Sequence, residues 1–254
     1  MTSHDLPRSP TIFHDLPCSQ VRCLKTGHIC EVQITLTALL HIKAGGGHAA
    51  YSLARMHKLF EPETYRHEGN LDEKAVAAVR CGLVRELVCR HDATDTFSAR
   101  LVGLCSALSA PSCALRELRL VGCQWPVGHL AIEELLVALP ASVSHLSISA
   151  MHTGGTLPEQ AFANLAASLE ECLIYSMALS GPVPRSIGQC RKLRTLILDD
   201  NALEGELPAE LAGCLSLRVL KLRGNRLVGR VPAPVESMRS RLDEFVVEGN
   251  QGML

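Results

Sequence analysis

Sixteen residues, LRTLILDDNALEGELP at Leu193–Pro208, recur in altered form as LRVLKLRGNRLVGRVP at Leu217–Pro232. Aliphatic residues, Asn, Gly and Pro keep the same places in both copies, whereas most of the other residues change. Internal repetition with a period of roughly 20 to 50 residues is typical of solenoids. The offset of 24 residues therefore predicts a stack of similar units rather than an irregular globule.

The same register extends in both directions from these two copies. Each unit opens with an aliphatic residue, and we place the seven starts at Val84, Leu115, Val143, Leu169, Leu193, Leu217 and Leu242. In each unit the alternation of Leu-x-Leu predicts a strand, so that Leu196 and Leu198 point into the core and Ile197 points out. One unit cannot bury its apolar face alone, and parallel stacking of strands at about 4.8 Å solves this.

A polar residue follows each of the last three predicted strands, at Asn201, Asn225 and Asn250. Backbone groups buried between stacked units need hydrogen-bond partners, and an amide side chain offers both donors and an acceptor. We therefore predict a ladder of asparagines. Met151 and Met177 hold the same place in two earlier units and cannot make these bonds, which predicts a departure from the pattern there.

The second half of four of the units contains a glycine for a tight bend and a proline suited to the first position of a helical turn. The apolar residue three places after the proline then faces inward. The prolines are Pro158, Pro184, Pro208 and Pro232, and three of the apolar residues are Ile187, Leu211 and Val235.

The pattern L-x-x-L-x-L-x-x-N/C-x-L resembles the leucine-rich-repeat family over residues 84–254. The tails at 179–184, 203–208 and 227–232 look like the plant-type subclass, which occurs in receptor-like kinases and some protist surface proteins. The first units are longer, carry Cys123 at the Asn position, and look more like the ribonuclease-inhibitor type. The resemblance implies a right-handed α/β solenoid of about seven coils, with parallel strands on the concave face and short helical turns on the convex face.

Residues outside the repeat divide the chain further. We expect residues 1–47 to form a flexible tail and residues 48–82 a helical N-terminal cap, with Asn70 as the N-cap of its last helix. Residues 83–254 form the solenoid. No polar capping unit follows Asn250, so the last coil would expose an apolar end and a strand edge. Either the chain is truncated or minimally capped there, or another chain, such as a second copy joined end to end, covers it.

Outward strand positions predict the concave face, and most of them are polar. The positions outside the centre and its border are Glu117, Arg119, Val121, His145, Ser147, Ser149, Glu171, Thr195, Val219, Glu244, Val246 and Glu248. Leu173, Tyr175 and Ile197 are exceptions on adjacent strands. They predict a small apolar patch bordered by Asp199, Asp200, Lys221 and Arg223. An apolar centre with a polar rim is typical of binding hot spots, although scattered surface aliphatics are also ordinary.

The sequence contains no complete catalytic or metal-binding motif. Cys18, Cys23, His28 and Cys30 could supply zinc ligands, but their spacing is not the paired spacing that zinc sites use. Gly45–Gly47 lacks the Lys-Ser/Thr of a phosphate loop. Cys190 and Cys214 share one repeat position, and we expect buried thiols rather than a disulfide. We predict no enzyme activity, no cofactor and no metal.

Composition and charge limit the classes of partner that the chain can bind. The 254 residues carry a formal net charge of −1, without the basic excess that nucleic acid binding needs. We find no secretory signal, no stretch long enough to span a membrane, and no glycosylation sequon among the asparagines. The eleven cysteines are scattered. These features predict a cytoplasmic protein-interaction module that binds a protein on its concave face. The alternative is an extracellular or cell-surface receptor fragment, for which we expect a Cys190–Cys214 bond.

Overall fold

The computed structural model describes residues 65–90, 97–123, 125, 131–250 and 252–253. Strands and short helices alternate along this part of the chain. Their order is β1 (Tyr65–Glu68), α1 (Glu73–Arg80), β2 (Val84–Arg90), α2 (Phe97–Leu108), β3 (Glu117–Val121), α3 (Ile132–Ala138), β4 (His145–Ser149), α4 (Glu159–Leu165), β5 (Glu171–Tyr175), a 3-10 turn (Arg185–Gln189), β6 (Thr195–Ile197), β7 (Glu204–Glu206), a 3-10 turn (Ala209–Gly213), β8 (Val219–Lys221), β9 (Arg226–Gly229), α5 (Ala233–Met238), a 3-10 turn (Arg239–Arg241), β10 (Glu244–Val246) and β11 (Gly252–Met253).

The main sheet contains eight strands in the described residues, in the order β1-β2-β3-β4-β5-β6-β8-β10. Every neighbouring pair is parallel. This confirms the predicted solenoid, with one strand more than its seven units. The additional strand is β1, whose sequence YRHE has no aliphatic alternation to predict it. Backbone pairing with β2 and an ion pair between Arg66 and Glu86 hold it in place.

The first described helix begins later than the sequence predicted. Asp72, not Asn70, is the N-cap of α1, and its carboxylate accepts a hydrogen bond from the Ala75 amide at 2.6 Å. A carboxylate at this position also favours the positive end of the helix dipole. The predicted tail at 1–47 and the predicted helix between His48 and Phe60 lie outside the described residues.

The core is a set of apolar columns that run across the stacked coils. One column consists of in-register, fully buried side chains: Leu118, Leu146, Cys172, Leu196 and Leu220. Each buried aliphatic side chain of this kind contributes roughly 1.5 to 3 kcal/mol. Only stacking provides this burial, which is why the repeat specifies the fold.

The convex side carries the predicted helical turns. The four repeat prolines each stand at the N-cap, one position earlier than predicted, with extended backbone that leads into the turn. The apolar residue three places further is buried in each case: Ala161, Ile187, Leu211 and Val235.

A second parallel sheet, which the sequence analysis did not predict, lies between the main sheet and the convex turns along the chain. Its order is β11-β9-β7, and an isolated bridge between Thr156 and Ser180 continues the same pairing upstream. The segment after Asn250 therefore belongs to this second sheet, because Gly252–Met253 pairs with β9.

Candidate functional site

The asparagine ladder fixes the turns that leave the concave face. Asn225 donates to the carbonyls of Leu198 and Leu222 and accepts from the Leu203 amide, all between 2.9 and 3.1 Å. Asn201 and Asn250 make equivalent bonds. Each amide thus joins its own coil to the one before it, as predicted.

The two methionine coils depart from this arrangement, also as predicted. Met151 and Met177 are buried and followed by His152 and Ala178, which both adopt positive φ. No asparagine coil in the described chain has a non-glycine residue with positive φ at that place. Without an asparagine amide to bond its backbone, the turn contains a non-glycine residue in the strained left-handed conformation.

Leu173 and Ile197 are direct neighbours on the concave face. They pair in register between β5 and β6, so their Cα atoms are about 4.8 Å apart. Tyr175 lies two residues beyond Leu173 on the same side of β5, and all three side chains are half-buried. We call these three residues the concave patch. All three keep part of their apolar area in solvent.

Asp199 and Asp200 follow β6 rather than lie within it. An Asp199 carboxylate oxygen accepts a hydrogen bond from the Arg223 amide at 2.7 Å, and the Asp200 amide donates to the Arg223 carbonyl at 2.8 Å. Partial burial raises the pKa of Asp199, and the nearby Asp200 charge adds to this, against the lowering effect of the Arg223 amide. These contacts give Asp199 a structural task in addition to its place beside the patch.

Lys221 follows Ile197 in register on β8 and forms an ion pair with Glu244. The hydrogen bond with Glu244 raises the pKa of Lys221, so its charge is held at the border of the patch. Arg223 is exposed and forms no ion pair within the described chain. Glu244 was not among the predicted site residues, although its place one coil beyond Lys221 could have indicated the pair.

Ser149 differs from the prediction of a solvated outward residue. It is fully buried, and its hydroxyl has no hydrogen-bond partner among the residues that the structure describes. Its in-register neighbours are Val121 and Tyr175, both larger side chains. The repeat register predicts the direction in which such a side chain points. It does not predict how far the neighbouring side chains bury it.

Cys190 and Cys214 are both free and buried. Cys190 donates to the Phe162 carbonyl and Cys214 to the Ile187 carbonyl, each in the preceding coil. Burial raises the pKa of Cys190 to about 11 and that of Cys214 to about 12, with the charge of Cys190 adding to the latter. These thiols behave as small core residues, which the sequence analysis expected, and the disulfide expected of a receptor fragment is not formed.

Other kinds of site receive no support from the described residues. They contain no group of three or more His, Cys, Asp or Glu side chains arranged for a metal ion. No described helix is both long and apolar enough to cross a bilayer. An open cavity of about 600 Å³ lies between the convex turns, lined by Glu159, Arg185, Ser186, Gly188, Gln189, Ala209, Glu210 and Gly213. Cys18, Cys23, His28 and Cys30, whose spacing did not favour zinc, lie outside the described residues.

The family described as Leucine Rich Repeat matches residues 192–214, one full coil that contains Ile197, Asp199 and Asn201. This match coincides with the stacked parallel coils and the asparagine ladder. Residues 192–214 thus match the leucine-rich-repeat family, and the described coils have the leucine-rich-repeat fold. No curated protein sequence matches it.

Solved structures of plant receptors share this fold. The leucine-rich-repeat ectodomain of GASSHO1/SCHENGEN3 from Arabidopsis thaliana, in complex with CASPARIAN STRIP INTEGRITY FACTOR 2, is 24% identical with a TM-score of 0.57, covering 73% of this chain and 20% of that one. The plant peptide hormone receptor RGFR1, in complex with RGF2, is 22% identical with a TM-score of 0.51, covering 74% and 27%. A chain of the BIR3–SERK2 complex from Arabidopsis thaliana is 30% identical with a TM-score of 0.40, covering 47% and 61%. This leucine-rich-repeat chain thus spans less than two thirds of each.

Proposed function

We propose that this leucine-rich-repeat protein is a non-enzymatic interaction module that binds a partner protein or peptide at the concave patch. The observation that carries the proposal is the pairing of Leu173 with Ile197 beside Tyr175, half-buried on a mostly polar face. Partly desolvated apolar anchors with a charged border are typical of binding hot spots. Asp199, Asp200, Lys221 and Arg223 supply that border.

The shape of the face supports an extended partner. Parallel strands present a broad, shallow surface, whereas small-molecule sites are concave and enclose most of the ligand. Two of the receptors with this fold are described in complex with CASPARIAN STRIP INTEGRITY FACTOR 2 and RGF2. We transfer from them only the expectation that the partner is a protein or peptide.

Affinity capture from native lysate tests the proposal. The variant Leu173→Glu, Tyr175→Glu, Ile197→Lys should lose partners that wild type retains, because charges at the centre of an apolar contact stay desolvated and unpaired. The matched control is Val102→Glu, Val137→Glu, Val228→Lys, at exposed apolar residues of α2, α3 and β9. Equal capture by wild type and both folded variants would contradict the proposal.

A cell-surface or secreted receptor fragment is the second candidate. The cytoplasmic location predicted from the sequence has no support in the comparisons, and a receptor ectodomain shares the fold at a TM-score of 0.57. Mass spectrometry after thiol alkylation of protein from its native cell separates the candidates. A Cys190–Cys214 bond would favour the receptor fragment, and free thiols at both positions would favour the reduced interaction module.

A further inference from the structure

Four exposed cations lie where strands β6 and β8 begin. Arg191, Lys192 and Arg194 immediately precede β6, and Arg218 immediately precedes β8. The Arg218 amide donates to the Arg194 carbonyl at 2.8 Å, so these two residues are neighbours in adjacent coils. We call the four residues the basic edge.

The cations of the basic edge are not neutralised by ion pairs within the described chain. None of the four cations takes part in an ion pair there, and the Arg218 guanidinium donates a hydrogen bond to the Leu217 carbonyl. Four carboxylates flank the edge in the neighbouring coils. Glu170 and Asp243 bond through their backbones to Arg194 and Arg218, and Glu171 and Glu244 follow them directly. Glu244 is paired with Lys221, so the four cations outnumber the three flanking carboxylates that form no ion pair in the described chain.

The basic edge adjoins the concave patch. Arg194 precedes Ile197 by three residues, which corresponds to about 10 Å along an extended strand. Arg218 stands in the same relation to Lys221, which pairs in register with Ile197. Both arginines lie just before their strands and are exposed at the N-terminal end of the sheet. An extended segment that covers Ile197 and continues past the start of β6 therefore reaches both arginines at that end.

We propose that the partner segment bound at the concave patch carries acidic side chains, about three residues from its aliphatic anchor, that bind the basic edge. This inference rests on the proposed function and adds the chemistry of the partner to it. The flanking carboxylates of Glu170 and Asp243 favour a discrete acidic segment over a continuous anionic surface, since a membrane or a nucleic acid would also approach those carboxylates and be repelled.

Exposed ion pairs are individually weak, so the acidic residues act mainly through their number and the association rate. Two or three such contacts together should change affinity by about tenfold at low salt, and less as salt screens them. The aliphatic anchor provides the contact that survives high salt.

Selection from a random dodecapeptide library tests the inference. Wild type should enrich peptides with Asp or Glu two to four residues from Leu, Ile or Val. Arg194→Glu, Arg218→Glu should lose the acidic enrichment and keep the aliphatic one, and should bind a selected acidic peptide about tenfold more weakly. Arg226→Glu, Arg230→Glu, which makes the same charge change at exposed residues in and beside the second sheet, should behave as wild type.

The two proposals fail in different ways. Acidic enrichment that is absent from wild type, or that survives Arg194→Glu, Arg218→Glu, overturns the basic-edge proposal. Aliphatic enrichment that survives Leu173→Glu, Ile197→Lys instead contradicts the concave patch as the anchor site. If wild type returns no acidic peptides but binds phosphatidylserine vesicles in a way that depends on Arg194 and Arg218, the edge serves a membrane and the proposal is overturned.

Discussion

One backbone position recurs in the left-handed conformation, immediately before the ladder residue of each coil. Its occupants are Gly122, Ala150, Ser176, Asp200, Gly224 and Gly249. Glycine adopts this conformation without a steric cost, whereas a Cβ costs roughly 1 kcal/mol. The coils that contain Met151 and Met177 each add a second such residue, His152 and Ala178. Four of the five non-glycine residues with positive φ in the described chain thus lie in these two coils, and the fifth is Asp200.

The ladder amide is the residue on which turn stability depends most. Asn225→Ala should lower the free energy of unfolding by roughly 2 to 4 kcal/mol, because the Leu203 amide and the Leu198 and Leu222 carbonyls lose a buried partner. Asn164→Ala is the control, since this exposed residue accepts only from Gln160. Urea unfolding measures both, and an equal, small loss would contradict the ladder.

Replacing the strained residue in a methionine coil by glycine should stabilise the protein. Ala178 has φ +58° and is exposed, so Ala178→Gly should raise the free energy of unfolding by up to about 1 kcal/mol. Ala163→Gly in α4 should lower it by about 0.5 to 1 kcal/mol, because glycine weakens a helix interior. Thermal unfolding of the two variants should thus move in opposite directions, and a loss in both would refute the strain.

Contacts between convex turns operate at the scale of elements. A Cβ on Gly188 would lie 2.0 Å from the Glu210 carbonyl oxygen, and one on Gly213 would lie 2.3 Å from the Gly188 carbonyl oxygen. The turns at Arg185–Gln189 and Ala209–Gly213 therefore stack backbone against backbone. Neither glycine belongs to a sequence motif that predicts this approach, and only the stacked geometry reveals it.

Gly188→Ala should lower the free energy of unfolding by roughly 1 to 3 kcal/mol, since rigid backbone must shift to admit the methyl group. Gly103→Ala in α2 is the control. Its Cβ would meet only a Val76 methyl group at 3.6 Å, and alanine favours the helix. Calorimetry that finds Gly188→Ala as stable as wild type would show that the turns stack less closely than described.

One carboxylate caps the turn of the following coil. Glu159 accepts hydrogen bonds from the Arg185 and Ser186 amides at 2.8 and 2.7 Å. Desolvation tends to raise the pKa of Glu159, but these bonds and the Ser186 side chain outweigh it and hold that pKa below its ordinary value.

Glu159→Gln should therefore lower stability by roughly 0.5 to 1 kcal/mol at pH 7, a modest value because the carboxyl group is exposed. A lowered folded-state pKa stabilises the protein above the unfolded pKa, and this contribution disappears as the pH falls through the folded value. The difference between wild type and variant should thus be full at neutral pH and shrink in acid. A difference that is constant from pH 7 to pH 3 would exclude this role.

At the scale of the whole molecule, the sequence predicts what the repeat determines and misses what packing determines. Leu196, Asn201 and Pro208 hold repeat positions, and the structure confirms the strand, the ladder and the convex turn that they predict. The second sheet escapes prediction because Glu204–Glu206 has no apolar alternation and is held by backbone pairing alone. Strand β1 escapes for the same reason.

The same distinction between repeat register and packing applies to the candidate site. Register alone brought Leu173 beside Ile197, and the structure places them so. The burial of Ser149 and the backbone bond between Asp199 and Arg223 depend on neighbouring side chains and on the turn after β6, which repeat positions do not encode. Whether the concave patch binds a partner stays a prediction that only a binding measurement can decide.

Hydrogen–deuterium exchange, with and without a partner captured on wild type, shows which face of the solenoid the partner covers. We expect protection of backbone amides in β5, β6 and β8, with the convex turns at Arg185–Gln189 and Ala209–Gly213 unchanged as the internal control. Protection confined to those convex turns, with β5 and β6 unchanged, would contradict the concave patch as the binding site.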